Sequence, residues 1–225
     1  MIKLLLVSAT EFEVQETLNS AFVYDESLQL FRHNTFSDVY FLITGIGIVA
    51  ATMKLTLIIE RHDVKNVLNI GFCGSFRAEY PLGSIVNVHL EVFPEVGIIN
   101  DIHDIIPLHT LIKSAAITSI GSEMSVSKIH QNVISSSLYP RVNGLTVQSC
   151  TNNQVRADYF VRQFNADVET MEGGACMSVC NQLSVAFLQL RVVSNMIPGR
   201  EADRWNIPKA KEVVKELLDS LLRKL

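Results

Sequence analysis

The sequence predicts an α/β fold, a mostly parallel sheet flanked by helices. Three observations carry the prediction. Short apolar runs at Ile2–Ser8, Val67–Ile70 and Val185–Val193 have the near-continuous hydrophobicity of strands buried on both faces. These runs alternate along the chain with helical patterns, the order that builds a parallel sheet. Two strand ends carry glycines, Gly45-Ile46-Gly47 and Gly71-Phe72-Cys73-Gly74, where a tight turn leaves backbone N–H groups exposed.

The elements follow in order. Ile2–Ser8 is the first strand, and Thr10 is an N-cap for a helix opening at Glu11-Phe12-Glu13-Val14. Leu28–Arg32 and Val39–Thr44 pair across a polar turn at Asn34, and a helix runs from Val49 to about Ile59. Val67–Ile70 and Ile85–Val92 are further strands. The region from Pro94 to Arg141 is an excursion able to cover a site or meet a partner; Ile98–Ile106 has a loop-like mix of apolar and acidic residues, and Ser135–Ser137 with Pro140 reads as a surface connection. Gly144–Gln148 is a short strand, and helices are expected over Gln154–Phe164 and Gly173–Gln182. The second of these is almost wholly apolar and must be buried. An amphipathic helix from Pro208 to Leu225 closes the chain.

At 225 residues with 48% apolar content the chain is expected to form one domain, 1–225, with a full core. A net charge of −4 and a pI near 5.9 give no general attraction to nucleic acid or an anionic membrane. No apolar stretch approaches the roughly 18 residues of a spanning helix, and the run Met1–Val7 is too short for a signal segment. The expectation is a soluble cytoplasmic protein. Cys73, Cys150, Cys176 and Cys180 fit no zinc spacing, and the last two, one helical turn apart, read as small core residues.

Two polar side chains stand at the edges of very apolar elements. Glu172 precedes Gly173-Gly174, where a ligand can approach the backbone, and Asn195 ends the strand Val185–Val193. A carboxylate and a carboxamide so placed suit a polar small molecule: hydroxyls for the first, a heterocycle edge for the second. Glu11 and Glu13 also have a plain reading as acidic residues at a helix start, and their spacing turns at most one of them toward a site above the strand ends.

Several motifs then coincide. Ser8-Ala-Thr-Glu-Phe-Glu13-Val, Thr44-Gly-Ile-Gly47, Asn69-Ile-Gly-Phe-Cys-Gly74, Met171-Glu172-Gly-Gly-Ala and Arg191-Val-Val-Ser-Asn195 stand in order and at compatible spacing. Together they resemble the segments of the nucleoside phosphorylase/nucleosidase superfamily, in particular its bacterial methylthioadenosine/S-adenosylhomocysteine nucleosidases. The Ser-Asn ending, followed by Pro198-Gly-Arg200 and Trp205, looks most like the futalosine hydrolases of the alternative menaquinone pathway. The resemblance implies a three-layer α/β/α fold with a central, mostly parallel, twisted mixed sheet, a small-molecule nucleoside substrate, no cofactor, and a homodimer or larger homo-oligomer. It gives Glu13 the role of activating water, Glu172 that of binding the ribose hydroxyls, and Asn195 the place of an aspartate that protonates the purine N7. Met171, Gly74, Phe72 and Asn153 are expected to contact substrate. Arg200 or Arg156 is expected to meet a carboxylate at the 5′ end, and Trp205 to stack on a ring, although each also reads as an ordinary surface or packing residue.

The replacement of aspartate by Asn195 is chemically readable. Asparagine donates from its NH₂ to a 6-carbonyl and accepts from a protonated N7, which suits hypoxanthine rather than adenine. The reaction expected from the resemblance is hydrolysis of the N-glycosidic bond of futalosine. An adenine-type nucleosidase, a purine nucleoside phosphorylase and a non-catalytic nucleoside-binding protein are the alternatives. The acidic first strand-to-helix turn repels phosphate and favours water as the nucleophile.

Overall fold

The computed structural model describes residues 1–101, 104–107, 119–121, 138–199 and 205–225. Five helices and a mixed sheet are seen among them. The elements that position the site are β1 (Leu4–Ser8), α1 (Glu11–Ala21), β2 (Phe22–Asp25), β3 (Leu30–His33), β4 (Val39–Ile43), α2 (Ile48–Arg61), β5 (Asn66–Ser75) and β6 (Ile85–Val92). After β7 (Gly97–Asp101), β8 (Asp104–Pro107) and β9 (Ser119–Gly121) come β10 (Arg141–Thr146), α3 (Gln154–Phe164), β11 (Val168–Thr170), α4 (Gly173–Gln182), β12 (Ala186–Met196) and α5 (Ile207–Leu222).

The strand order is β11-β10-β6-β12-β5-β1-β4-β3-β2, with β9 against β6. The centre, β12-β5-β1-β4, is parallel; β2–β3–β4 and the β6–β12 ladder are antiparallel. β11 also pairs with the end of β5, so β5, β12, β6, β10 and β11 close into a ring.

β1 shows why helices lie on both faces. All five of its residues are buried, and successive side chains point to opposite sides of a pleated strand. Leu4 and Leu6 join a core beneath α1 and α5, with Val14, Leu18, Val214 and Leu218. Leu5 and Val7 join a second core beneath α2 and α4, with Leu55, Ile58, Met177 and Cys180. The result is the expected α/β/α sandwich. α4 is buried along nearly its whole length, Cys176 and Cys180 included. α5 starts at the cap Asn206, whose carboxamide accepts from Lys209 N at 3.1 Å.

The structure differs from the sequence expectation at several places, β9 and β11 being strands it did not include. β2 follows α1 without a break and pairs with β3; its aromatic and β-branched residues favour a strand, but it is too short to show a clear period. Within Ile98–Ile106, expected as a loop, β7 and β8 form a hairpin pairing Ile98 with Ile106 and Ile99 with Ile105. The β-branched isoleucines on both strands favour the pairing. The expected surface connection at 135–137 lies outside the described residues.

Candidate active site

Glu13 is held from four sides. Its Oε2 accepts from Ser8 Oγ at 3.1 Å, Thr10 N at 3.0 Å and Thr10 Oγ1 at 3.1 Å, completing a capping box with Thr10. Its Oε1 accepts from Phe72 N at 2.9 Å. That N–H is available because of how β5 is paired. On one edge β1 covers Val67 to Asn69 and β11 covers Gly74 and Ser75, leaving a gap between them. Glu13 fills the gap: it caps the start of α1 and also lines the cleft over the strand ends. Glu11 is exposed and faces a different groove.

Glu172 is the N-cap residue of α4 and is buried. Its Oε1 accepts from Gly47 N at 2.8 Å. Gly45 and Gly47 adopt φ of +86° and +92°, a region that strains any side chain bearing a Cβ. The turn between β4 and α2 is itself pinned, Thr44 N to Ser8 O at 3.0 Å and Gly45 N to Ala9 O at 2.9 Å. Burial pushes the Glu172 carboxyl above the ordinary carboxylate range; the Arg191 charge and the Gly47 bond oppose it, and the Glu13 charge adds to it.

Asn195 sits where the β12–β5 register shifts after Val193, an irregularity that re-aims the side chain. Its Oδ1 accepts from Ser194 Oγ at 2.9 Å. Its Nδ2 lies over Gly74, 2.9 Å from where a Cβ on that residue would stand. A bridge from Asn195 to Trp205 and a bond from Asn206 N to Ser194 O at 2.8 Å fasten the following segment.

Glu13, Glu172 and Asn195 line one cleft of about 500 Å³, together with Phe72, Gly74, Met171 and Trp205. This volume lies within the range of small-molecule pockets. Three carboxylates line it, from Glu13, Glu169 and Glu172, and no lysine or arginine does so among the described residues. A second groove of about 560 Å³, lined by Glu11, Tyr24, Lys54 and Arg61, is of similar size but contains none of the three.

Two other expected contacts, Asn153 and Arg156, are not brought to the cleft. Asn153 is exposed and caps α3, its carboxamide accepting from Arg156 N at 3.1 Å, because a residue just before a helix has orphan N–H groups to satisfy. Arg156 is committed to Glu95 at 2.6 Å and stands 4.7 Å above the Phe160 ring. Arg200 lies outside the described residues. Trp205 is at the rim, its Nε1 donating to Gly199 O at 3.1 Å.

Arg191 has a part that its motif alone did not reveal. It is fully buried in β12, and its Nε and Nη2 have no hydrogen-bond partner among the described residues. Arg191 Nη1 and Glu13 Oε1 converge on Gly71, 2.8 and 2.7 Å from where its Cβ would be. The available signal is a lone cation inside a mostly apolar strand. Nearby, Glu91 is fully buried, accepting from Gln189 Nε2 at 2.7 Å and Thr146 Oγ1 at 2.9 Å. Burial raises its carboxyl to about 7, against the pull of those donors and of Arg191.

Comparison with known proteins follows the same lines. The family model described as "Phosphorylase superfamily" matches residues 3–89 and 140–223. A futalosine hydrolase of Thermus thermophilus is 25% identical over 197 residues, 81% of this chain and 80% of that protein. A 5′-methylthioadenosine/S-adenosylhomocysteine nucleosidase of Colwellia psychrerythraea is 30% identical over 179 residues, 74% of this chain and 70% of that one. Among solved structures, a futalosine hydrolase mutant of Helicobacter pylori superimposes with a TM-score of 0.80 over 100% of both chains at 18% identity. With the matched segments spanning both halves of the sheet and the five helices of the described residues, the chain belongs to the phosphorylase superfamily.

Proposed function

We propose that this protein hydrolyses the N-glycosidic bond of a 6-oxopurine nucleoside, with futalosine as the substrate, releasing hypoxanthine and dehypoxanthine futalosine. The observation that carries the reading is the convergence of Glu13, Glu172 and Asn195 on one cleft. Glu13, held by four donors, orients and deprotonates the attacking water. Arg191 Nη1, over the same glycine as Glu13 Oε1, helps to hold that water. Glu172 accepts from the ribose hydroxyls with its second oxygen and sets negative charge beside the ribosyl cation as it develops. Asn195 donates from Nδ2 to the 6-carbonyl. With Ser194 on its Oδ1, a further lone pair there accepts from the protonated N7. An amide supplies no proton, so the proton on the departing base comes from solvent.

Water is favoured over phosphate by the three carboxylates of the described lining, which repel an anion. A second reading, an adenine-type nucleosidase, draws support from the Colwellia relative named above. The test is base release from inosine-type and adenosine-type futalosines, with and without phosphate. Faster release from the 6-amino substrate defeats the asparagine argument, and phosphate-dependent release makes the enzyme a phosphorylase.

On α2, Val49, Met53 and Leu57 are exposed at helical spacing and continue from Ile46, itself part of the cleft lining. A second copy of the chain covers this stripe in our reading. Light scattering that returns a monomer mass at micromolar concentration rejects it.

A further inference from the structure

A helix start leaves its first N–H groups without partners, and the N-cap side chain ordinarily takes one of them. Glu172 does not. As the N-cap residue of α4 it makes no side-chain cap bond, and its Oε1 accepts from Gly47 N instead. Two buried threonines take the N–H groups of α4 from neighbouring strands. Gly173 N donates to Thr170 Oγ1 on β11 at 3.1 Å, and Gly174 N donates to Thr146 Oγ1 on β10 at 2.6 Å. The Glu172 carboxylate is thereby left free for the cleft that it lines.

Both threonines lead to one carboxylate. Thr170 Oγ1 stands 3.4 Å from Thr146 Oγ1, and Thr146 Oγ1 donates to Glu91 Oε2 on β6 at 2.9 Å. Glu91 Oε1 accepts from Gln189 Nε2 on β12 at 2.7 Å, and Gln189 Oε1 accepts from Asn69 Nδ2 on β5 at 3.5 Å. The Asn69 bond sets which end of the Gln189 amide faces Glu91. Glu91 thus ends the chain as an acceptor only, the part that an ionised carboxylate plays. All five side chains are buried. Two glycines make room for them: a Cβ on Gly144 would stand 2.8 Å from Glu91 Oε1, and one on Gly173 would collide with it. The carboxylate therefore lies directly against the first residue of α4, one position after Glu172.

We propose that Glu91 is a positioning residue: through Thr146 and Gly173 it holds the first turn of α4 and so aims the free oxygen of Glu172 at the ribose hydroxyls. The inference rests on the ribose-binding role given to Glu172 above, and not on the identity of the base. Glu91 does not line the cleft, so it acts only through its neighbours. A carboxylate acceptor strengthens the Thr146 bond and, through it, the Gly174 bond, because hydrogen bonds in a chain polarise one another. Gly47 N pins one oxygen of Glu172. A shift of the turn that carries the residue therefore swings the other oxygen away from the sugar. A misplacement of about 1 Å costs on the order of 10²-fold in rate.

Hydrolysis assayed at pH 8, where a carboxyl at about 7 is ionised, tests the role. The readout is the ratio of kcat/KM for a ribonucleoside over its 2′-deoxy counterpart, taken on futalosine and on its 6-amino equivalent. The intrinsic effect of the 2′-hydroxyl on the glycosidic bond is common to all variants and cancels between them. In Glu91→Gln the new NH₂ must face either Gln189 Nε2 or the Thr146 hydroxyl, so one donor loses its acceptor. The ratio falls roughly 10-fold, the loss expected for one hydrogen bond to a charged group, while the thermal melt stays cooperative. The exchanged pair, Glu91→Gln with Gln189→Glu, keeps every hydrogen bond of the chain and restores most of the ratio. Thr146→Val cuts the link without removing a charge and lowers the ratio likewise, whereas Thr146→Ser keeps it. A folded Glu91→Gln with the wild-type ratio overturns the role of Glu91 and leaves the hydrolase reading standing; if that variant does not fold, Thr146→Val decides by the same ratio. A folded exchanged pair no better than the single variant overturns the hydrogen-bonded route. Wild-type protein that releases no base from either ribonucleoside overturns both the role of Glu91 and the hydrolase reading.

Discussion

Glu13 Oε1 accepts the backbone N–H of Phe72 at 2.9 Å, across 59 residues of sequence. The bond joins the first turn of α1 to the one stretch of β5 that neither β1 nor β11 covers on that edge. An otherwise orphaned backbone donor thus orients the carboxylate.

Glu13→Gln separates binding from chemistry. The carboxamide keeps the shape and can still accept from Phe72 N, but it cannot take a proton. We expect turnover to fall by roughly 10²- to 10⁴-fold, with a binding constant for substrate little changed. The capping box weakens by about 1 kcal/mol or less. Single-turnover kinetics with a parallel thermal melt checks both.

Asn195→Asp replaces the carboxamide with a carboxyl at the same place in the cleft. Its carboxyl can protonate N7 and accept from a 6-amino group. The ratio of kcat/KM for 6-oxo over 6-amino substrates should fall by roughly 10² or more. An unchanged ratio removes Asn195 from base selection.

Gly74→Ala tests how closely the cleft floor is packed. The new Cβ would stand 2.6 Å from Ile197 Cδ1 and 2.9 Å from Asn195 Nδ2. Overpacking of this kind costs about 1–3 kcal/mol, read by urea unfolding. Asn195 must also shift, so KM should rise more than kcat falls.

Stability should decline as pH rises from about 4.5 to about 7. The Glu91 carboxyl lies at about 7 in the folded protein against an ordinary value of 4.5. The folded state therefore binds more protons than the unfolded state between these values. Its contribution to stability is fully present below about pH 4.5 and is lost by about pH 7, an effect on the order of 3 kcal/mol for so buried a group. Glu169 and Glu172 are raised in the same direction. Urea midpoints at pH 5, 6, 7 and 8 should fall for the wild type and flatten in Glu91→Gln.

Some of this architecture can be read along the chain because its causes are local. The buried runs of β1, β5 and β12 and the amphipathic stripe of α5 follow from side-chain period. The capping box at Thr10 and Glu13 is a short-range arrangement, and Glu172 beside two glycines is visible as it stands. The order of the motifs places the chain in its superfamily before any coordinate is known.

The cleft itself was decided by tertiary structure. Glu172 meets the N–H of Gly47 across 125 residues, and no local pattern encodes that contact. In the sequence Asn153 and Arg156 are equally available for substrate, but a helix cap and the Glu95 partner claim them. Glu169 reaches Gly74 only because β11 pairs with β5 and closes the ring. Periodicity depends on neighbours a few positions away and survives in the sequence. Convergence depends on strand order and register across the whole sheet, which are set when the two cores pack together.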